Sequence, residues 1–286
     1  MKADKPSATA LLIARSQVML HDAGATAAVD AERARYYRAF AGEAGGKAGT
    51  RWLKLMERCS VPGIYLHYAL RKLCIERLAR ERLEAGARQV VVIAAGLDPL
   101  SAMLHGKYKD VAFFELDHPA TQAVKRRALE KMGRGGNLSL PPVDLTKQTL
   151  TAALAGTSFS PDLPTLFIAE GITMYLTAAQ INSLFAQLRA CARHAESHFL
   201  FTYMNRQESG SIQFGSATWL TSAWLWIKNE SFRWGIAAKD LPAFLSAHGC
   251  SMITHADADD LAAAYLEKKA VLARGENICL ARLAGQ

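Results

Sequence analysis

Residues 90 to 93 are Val-Val-Val-Ile, four consecutive β-branched apolar side chains that run straight into Ala94, Ala95 and Gly96. A strand with one face in water alternates apolar and polar residues. An unbroken apolar run instead fits a strand buried on both faces, as in a parallel sheet covered by helices. The small residues that follow let a ligand approach the backbone, and Gly96 takes positive φ at little steric cost. Ligands of open α/β sheets bind at this carboxyl edge of the strands, where Asp98 adds a carboxylate.

The remaining pattern supports such a sheet. Residues 7 to 21, 27 to 43 and 65 to 84 are predicted helical, with a loop over 45 to 50. Further strands are predicted at 111 to 117, 137 to 145, 165 to 170, 198 to 204, 250 to 254 and 277 to 283, the second of these made irregular by Pro141 and Pro142. Helices are predicted over 121 to 132, 177 to 191, 241 to 248 and 257 to 272; Thr177 and Gln180 form a capping box. The fold class expected is α/β: a Rossmann-like, doubly wound, mostly parallel seven-stranded sheet. Residues 1 to 88 form a helical extension, 89 to 204 the ligand-binding core, 205 to 240 an aromatic cap, and 241 to 286 the last part of the sheet. The cap is read from Trp219, Trp224, Trp226 and Trp234, four of the five tryptophans. They line an acceptor pocket or are plain core.

A dinucleotide site asks for G-x-G-x-x-G. The matching positions are Ala94, Gly96 and Pro99, which disfavours a pyrophosphate and favours a nucleoside without phosphates. Glu115 and Asp117 end the second strand on one side of it. Asp117 follows Gly96 by 21 residues, near the roughly 20-residue offset at which an acidic residue meets ribose hydroxyls. Asp144 is an acceptor for an adenine amino group or the cap of a helix beginning near Lys147, and alone the cap reading is the stronger. Glu170, at the end of the fourth strand, is placed to hold an ammonium group. Arg71 alone reads as a surface arginine.

The net charge of +8 and pI near 9.3 raise the question of acidic partners. Lys and Arg alternate with Glu over 71 to 88, so these charges read as solvated helix faces, with no nucleic acid and no membrane expected. The five cysteines lack C-x-x-C spacing, which fits a reducing, cytoplasmic setting.

Q-V-V-V-I-A-A-G-L-D at 89 to 98, F-E-L-D-H-P at 114 to 119, V-D-L at 143 to 145 and A-E-G-I-T-M-Y-L at 169 to 176 together resemble the leucine carboxyl methyltransferase family of S-adenosylmethionine-dependent enzymes. The resemblance extends from Ser7 and fades after about residue 205. It implies that Arg71 holds the cofactor carboxylate, Gly96 lies under the methionine portion, Asp117 takes the ribose, Asp144 and Leu145 address the adenine, and Glu170 meets the amino end. With their neighbours Ala95, Asp98, Glu115 and Gly171, these are the expected S-adenosyl-L-methionine contacts. Two positions depart from the family pattern: Ala94 replaces a usual glycine, and Pro99-Leu100 stands where Thr or Ser followed by Arg is common. The missing arginine bears on charge pairing and acceptor orientation more than on cofactor binding.

The function implied is an O-methyltransferase acting on a carboxylate or hydroxyl of a small-molecule acceptor. A protein C-terminal carboxyl methyltransferase, a non-catalytic S-adenosylmethionine-binding or partner-binding protein and, further off, an NAD-dependent oxidoreductase are the alternatives. A carboxylate is ionised at neutral pH and needs no general base, whereas a hydroxyl benefits from one. Tyr203, His118 and Tyr175 are candidates for that role and equally for structural ones. No metal is expected: His194 and His198 have helical spacing but no third ligand in the pattern.

Overall fold

The computed structural model describes residues 7–43, 45–133, 135–215 and 232–284. Seven strands form one sheet: β1 Gln89–Ile93, β2 Ala112–Leu116, β3 Leu138–Ser139, β4 Thr165–Ala169, β5 His198–Met204, β6 Cys250–Ala256 and β7 Glu276–Leu283. Their order across the sheet is β3-β2-β1-β4-β5-β7-β6. The first five run parallel, and β7 lies antiparallel between β5 and β6. The chain winds outward from β1 to β3 and then crosses to β4, so the strand order reverses between β1 and β4, the place where open α/β sheets bind ligands.

The unbroken apolar run of β1 is explained by its two neighbouring cores. Val90 and Val92 pack on one side of the sheet with the N-terminal helices, α1 Ala8–Asp22, α2 Ala31–Ala41 and α4 Ile64–Glu84. Val91 and Ile93 pack on the other side with α7 Leu150–Leu154, α8 Ala178–Cys191 and α9 Leu241–Ala247. Between these lie α3 Gly46–Cys59, α5 Leu100–Leu104 and α6 Pro119–Met132, and α10 Ala258–Tyr265 precedes β7. Thr177 and Gln180 make both bonds of the capping box that starts α8. No described helix is long and apolar enough to cross a membrane.

Besides α5, for which no helix is predicted, three elements differ from the sequence expectation. The loop predicted over 45 to 50 is instead the start of α3: Gly45, at φ 87°, sits at its N-cap, and the Lys, Arg, Leu and Met that follow are good helix formers. That helix buries only Leu53 and leaves Trp52 and Leu55 exposed. The strand predicted over 137 to 145 shrinks to two residues and an isolated bridge between Asp117 and Pro142, because Pro141 and Pro142 have no N–H for the ladder. The helix predicted to reach 272 stops at Tyr265. Beyond it the chain packs onto the start of α4 so closely that a Cβ on Gly63 would lie 2.4 Å from the Val271 carbonyl oxygen. Of the aromatic cap, residues 216–231, with Trp219, Trp224 and Trp226, lie outside the described residues; Trp234 is buried against Phe244.

Candidate functional site

A cavity of about 380 Å³ opens at the carboxyl ends of β1, β2 and β4, within the range of roughly 300–1,000 Å³ common for small-molecule sites. Its floor is the turn after β1, Ala94 to Asp98, with Val92 and Ile168 beneath; Asp117 closes one side, and Glu170, Gly171 and Ile172 another. Ser7, Thr9, Ala10, Ile13 and Ala14 of α1 contribute the roof. Gly96 has φ 54°, a conformation that favours glycine, and it faces α1, where a Cβ would sit in ordinary contact 3.7 Å from the Ala10 methyl group. Asp117 Oδ2 accepts the Gly96 N–H at 2.5 Å and Oδ1 accepts the His118 N–H at 2.6 Å. These bonds fix the carboxylate at the cavity edge, and each oxygen keeps a lone pair for a ligand.

Ala94 also has positive φ, 55°. For a residue with a Cβ this conformation costs about 1–2 kcal/mol, against roughly 0.5–1 kcal/mol of chain entropy that glycine would lose on folding. Ala94→Gly is therefore expected to stabilise the fold slightly, by up to about 1 kcal/mol. A denaturant melt showing a clear loss would contradict the strain.

The opposite end of the cavity is an alternating chain of charges. Lys72 pairs with Asp98 and, at 3.0 Å, with Glu170. Arg71 donates from Nε to Glu170 at 2.8 Å and from Nη1 to Glu276 at 2.5 Å, and its Nη2 lies 2.6 Å from the same Glu170 oxygen. Its guanidinium carbon lies 4.7 Å above the Tyr68 ring. The sequence reading of Arg71 as a surface residue is corrected here: it is 3% exposed, because α4 is buried nearly all round and its charge faces carboxylates across the sheet edge. All three cationic contacts to Glu170 fall on Oε1, so none of them occupies Oε2. Burial by itself would raise the Asp98 pKa, but Lys72 outweighs it and holds the carboxyl well below its usual range. Burial likewise opposes the charge on Lys72, and Asp98 and Glu170 reverse that effect. Paired cations and carboxylates of this kind complement an amino-acid group, which carries both charges.

Behind the turn, Lys125 is held among buried partners. Leu100 is buried, the Asp98 carboxylate caps its N–H at 2.7 Å, and Lys125 of α6 reaches in to the Asp98 carbonyl oxygen and the Glu115 carboxylate. Glu115 thus does not line the cavity. It shares a face of β2 with Asp117 but sits one step back from the edge, beneath α6.

Arg71, Ala95, Gly96, Asp98, Asp117, Glu170 and Gly171 are brought to one cavity. Asp144 and Leu145 are not among its lining residues. Asp144 closes a local turn, accepting from the Thr146 N–H and hydroxyl at 3.1 and 2.5 Å, and these bonds lower its pKa to about 2. It does not cap the next helix, whose N-cap is Thr149. Of the three general-base candidates only Tyr175 lines the cavity, with its ring against Phe232. His118 caps α6, its Nδ1 accepting from Ala120 N–H. Tyr203 packs in the core on the sheet face opposite Val92 and bonds His255 at 2.9 Å; burial pushes its hydroxyl up to about 12. Sequence reasoning missed Lys72, Glu276 and Tyr37. Tyr37 lines the cavity, and its buried hydroxyl has no hydrogen-bond partner among the described residues. Only Lys72 carried a signal, as the neighbour of Arg71.

The profile of the leucine carboxyl methyltransferase family matches residues 7–189, well over half of the chain. The chain belongs to that family. The matched span contains α1 and every lining residue of the cavity. Among curated relatives, a protein of Mycolicibacterium paratuberculosis, provisionally named an S-adenosyl-L-methionine-dependent methyltransferase, is 34% identical over 112 residues, covering 39% of this chain and 37% of its own length. One from Mycobacterium sp. (strain KMS) with the same provisional name is 37% identical over 109 residues, covering 37% and 36%. The match therefore spans little more than a third of either relative. Among solved structures, a provisionally named methyltransferase from Thermobifida fusca YX superposes with TM-score 0.60 at 13% identity, over 91% of this chain and 95% of that one. The [4+2]-cyclase SpnF superposes with TM-score 0.51 at 14% identity, over 79% and 84%. These likenesses establish the Rossmann-like fold.

Proposed function

We propose that this member of the family is an S-adenosyl-L-methionine-dependent O-methyltransferase that methylates a carboxylate or hydroxyl of a small molecule. The carrying observation is that one cavity combines the Gly96 turn, tied to Asp117, with the Arg71–Glu170–Lys72 charge chain. A ribose diol fits the first and the amino-acid group the second. The donor set suits the cofactor: Glu170 keeps Oε2 clear of its cationic neighbours, and Arg71 keeps two of its five N–H donors.

When bound, the cofactor supplies an electrophilic methyl group on a sulfonium. The protein's part is alignment in a water-poor space, which contributes through orientation rather than through acid–base groups. Ala10, Ile13, Ile172 and Val92 make the walls apolar. Tyr175 is the lining hydroxyl left among the base candidates for an alcohol acceptor; a carboxylate acceptor needs none. The carboxylate acceptor is the simpler reading, because no histidine lines the cavity among the described residues and the lining tyrosines, Tyr37 and Tyr175, are poor bases while protonated. A cytoplasmic location suits the free thiols of Cys74, Cys191, Cys250 and Cys279.

Calorimetric titration with S-adenosylmethionine, S-adenosylhomocysteine and NAD in parallel tests the cofactor, and methyl-ester formation across a panel of carboxylic acids tests the acceptor. Binding of NAD alone would overturn the reading; binding of the sulfur nucleosides without any turnover would favour a non-catalytic binding protein. Asp117→Ala is expected to weaken S-adenosylhomocysteine binding by about 1–3 kcal/mol, about five- to 150-fold in Kd. Unchanged affinity in a folded variant would remove Asp117 from the site.

A further inference from the structure

Glu276 is the first residue of β7, 205 residues from Arg71, and it is 1% exposed. It does not line the cavity; it stands behind Arg71. Its Oε2 accepts from Arg71 Nη1 at 2.5 Å and lies 3.4 Å from Nε2 of His67, which is itself fully buried one turn earlier on α4. Glu170 grips a different edge of the same guanidinium, through Nε and Nη2. The backbone that delivers Glu276 is tightly fitted. Gly275 has φ 123°, its carbonyl accepts the Asn205 N–H at 2.7 Å, and a Cβ there would lie 2.9 Å from the Gln213 carbonyl oxygen.

The charges thus alternate as Asp98, Lys72, Glu170, Arg71, Glu276. An ammonium group arriving at Oε2 of Glu170 shares that carboxylate's charge with Arg71 and weakens the Arg71 contacts on Oε1. A second anchor keeps the guanidinium's direction at the moment it is needed for the ligand's own carboxylate.

We propose that Glu276, steadied by His67, is a positioning residue that keeps the Arg71 guanidinium aimed at the carboxylate of the bound nucleoside's amino-acid group while Glu170 takes the ammonium. This rests on the cofactor reading above. It assigns a role in ligand recognition to the last strand, outside the segment that carries the family resemblance. Glu276 acts only through Arg71, so a ligand without the amino-acid group is indifferent to it.

The test compares S-adenosylhomocysteine with 5′-methylthioadenosine, which keeps the nucleoside and lacks the amino acid, on wild type, Glu276→Gln and Glu276→Asp. Glu276→Gln is expected to weaken S-adenosylhomocysteine about tenfold, the scale of one hydrogen bond to a charged group, and to leave 5′-methylthioadenosine within about twofold. Glu276→Asp keeps the charge and is expected to recover part of the loss. Equal weakening of both ligands, unchanged S-adenosylhomocysteine affinity in folded Glu276→Gln, or failure of both variants to fold would make Glu276 a purely structural ion-pair partner and overturn the proposal. Wild type that binds neither nucleoside would overturn the cofactor reading and this proposal together; wild type that binds both, with the variants' preference unaltered, overturns this proposal alone.

Discussion

Replacing Lys125 by methionine is expected to destabilise the fold by about 3–5 kcal/mol at pH 7, the usual cost of breaking a buried pair from one side. Lys125 and Glu115 are each 1% exposed and 2.7 Å apart. Burial already holds the Glu115 pKa above its ordinary value, with Lys125 opposing the rise. Without Lys125 the carboxyl escapes by taking up a proton. Starting from an ordinary glutamate pKa near 4.3, protonation at pH 7 costs about 4 kcal/mol, and at pH 5 only about 1. The folded variant then holds a proton that the unfolded chain releases, so its stability falls as pH rises. Urea melts from pH 5 to 8 should show the deficit growing by about 1.4 kcal/mol per unit. A deficit that is flat with pH, or below about 1 kcal/mol at pH 7, would mean that Glu115 finds another partner. Adding Glu115→Gln should restore most of the loss, since the orphaned charge is then gone.

Arg71→Met is the second large effect, on stability and binding together. Lys72 still holds Glu170, but Glu276 would lose its cation and keep the contacts to His67 and Thr202. In the wild type, burial pushes the Glu276 carboxyl up, yet Arg71 and His67 more than offset this and hold it at about 2. Its folded pKa is thus depressed from an unfolded value near 4.3. The stabilisation is present above that unfolded value and is lost as pH falls towards 2. Wild type should therefore weaken between about pH 4.5 and 2. The variant should lose about 3–5 kcal/mol at pH 7, with this acid-range slope abolished or reversed. Binding of S-adenosylhomocysteine should fall more than about tenfold, because a charge-assisted bond to its carboxylate is removed. A variant with wild-type acid sensitivity would refute the Arg71–Glu276 pairing; one with intact affinity would refute the ligand role.

Both predictions concern charges that the sequence displayed without their partners. Arg71 and Lys125 stand in the sequence among other Lys and Arg of ordinary helices, and nothing local distinguishes a buried cation from a solvated one. Nothing near Lys125 in the sequence announces Glu115 or the Asp98 carbonyl oxygen as its partners. By contrast, Asp117 and Glu170 were legible. Each follows directly on an apolar strand, so the position that ends the strand also places the carboxylate at the sheet edge. Asp144 follows a proline-broken strand, and there the same reasoning placed a residue that the structure keeps in a local turn away from the cavity lining.

What the sequence by itself determined is what period and adjacency encode: a central strand apolar on both faces, a small-residue turn beyond it, acidic residues where strands end, and the capping box of α8. These features act within a few residues, so they survive without knowledge of the rest of the chain. Only the tertiary structure decided which charges meet. Arg71 and Glu170 are 99 residues apart and Arg71 and Glu276 are 205 apart, and α10 stops at Tyr265 because the chain beyond it packs on Gly63. The reason is that burial and ion pairing are properties of space: a side chain's partner is set by which elements the sheet brings together, and no local pattern records it.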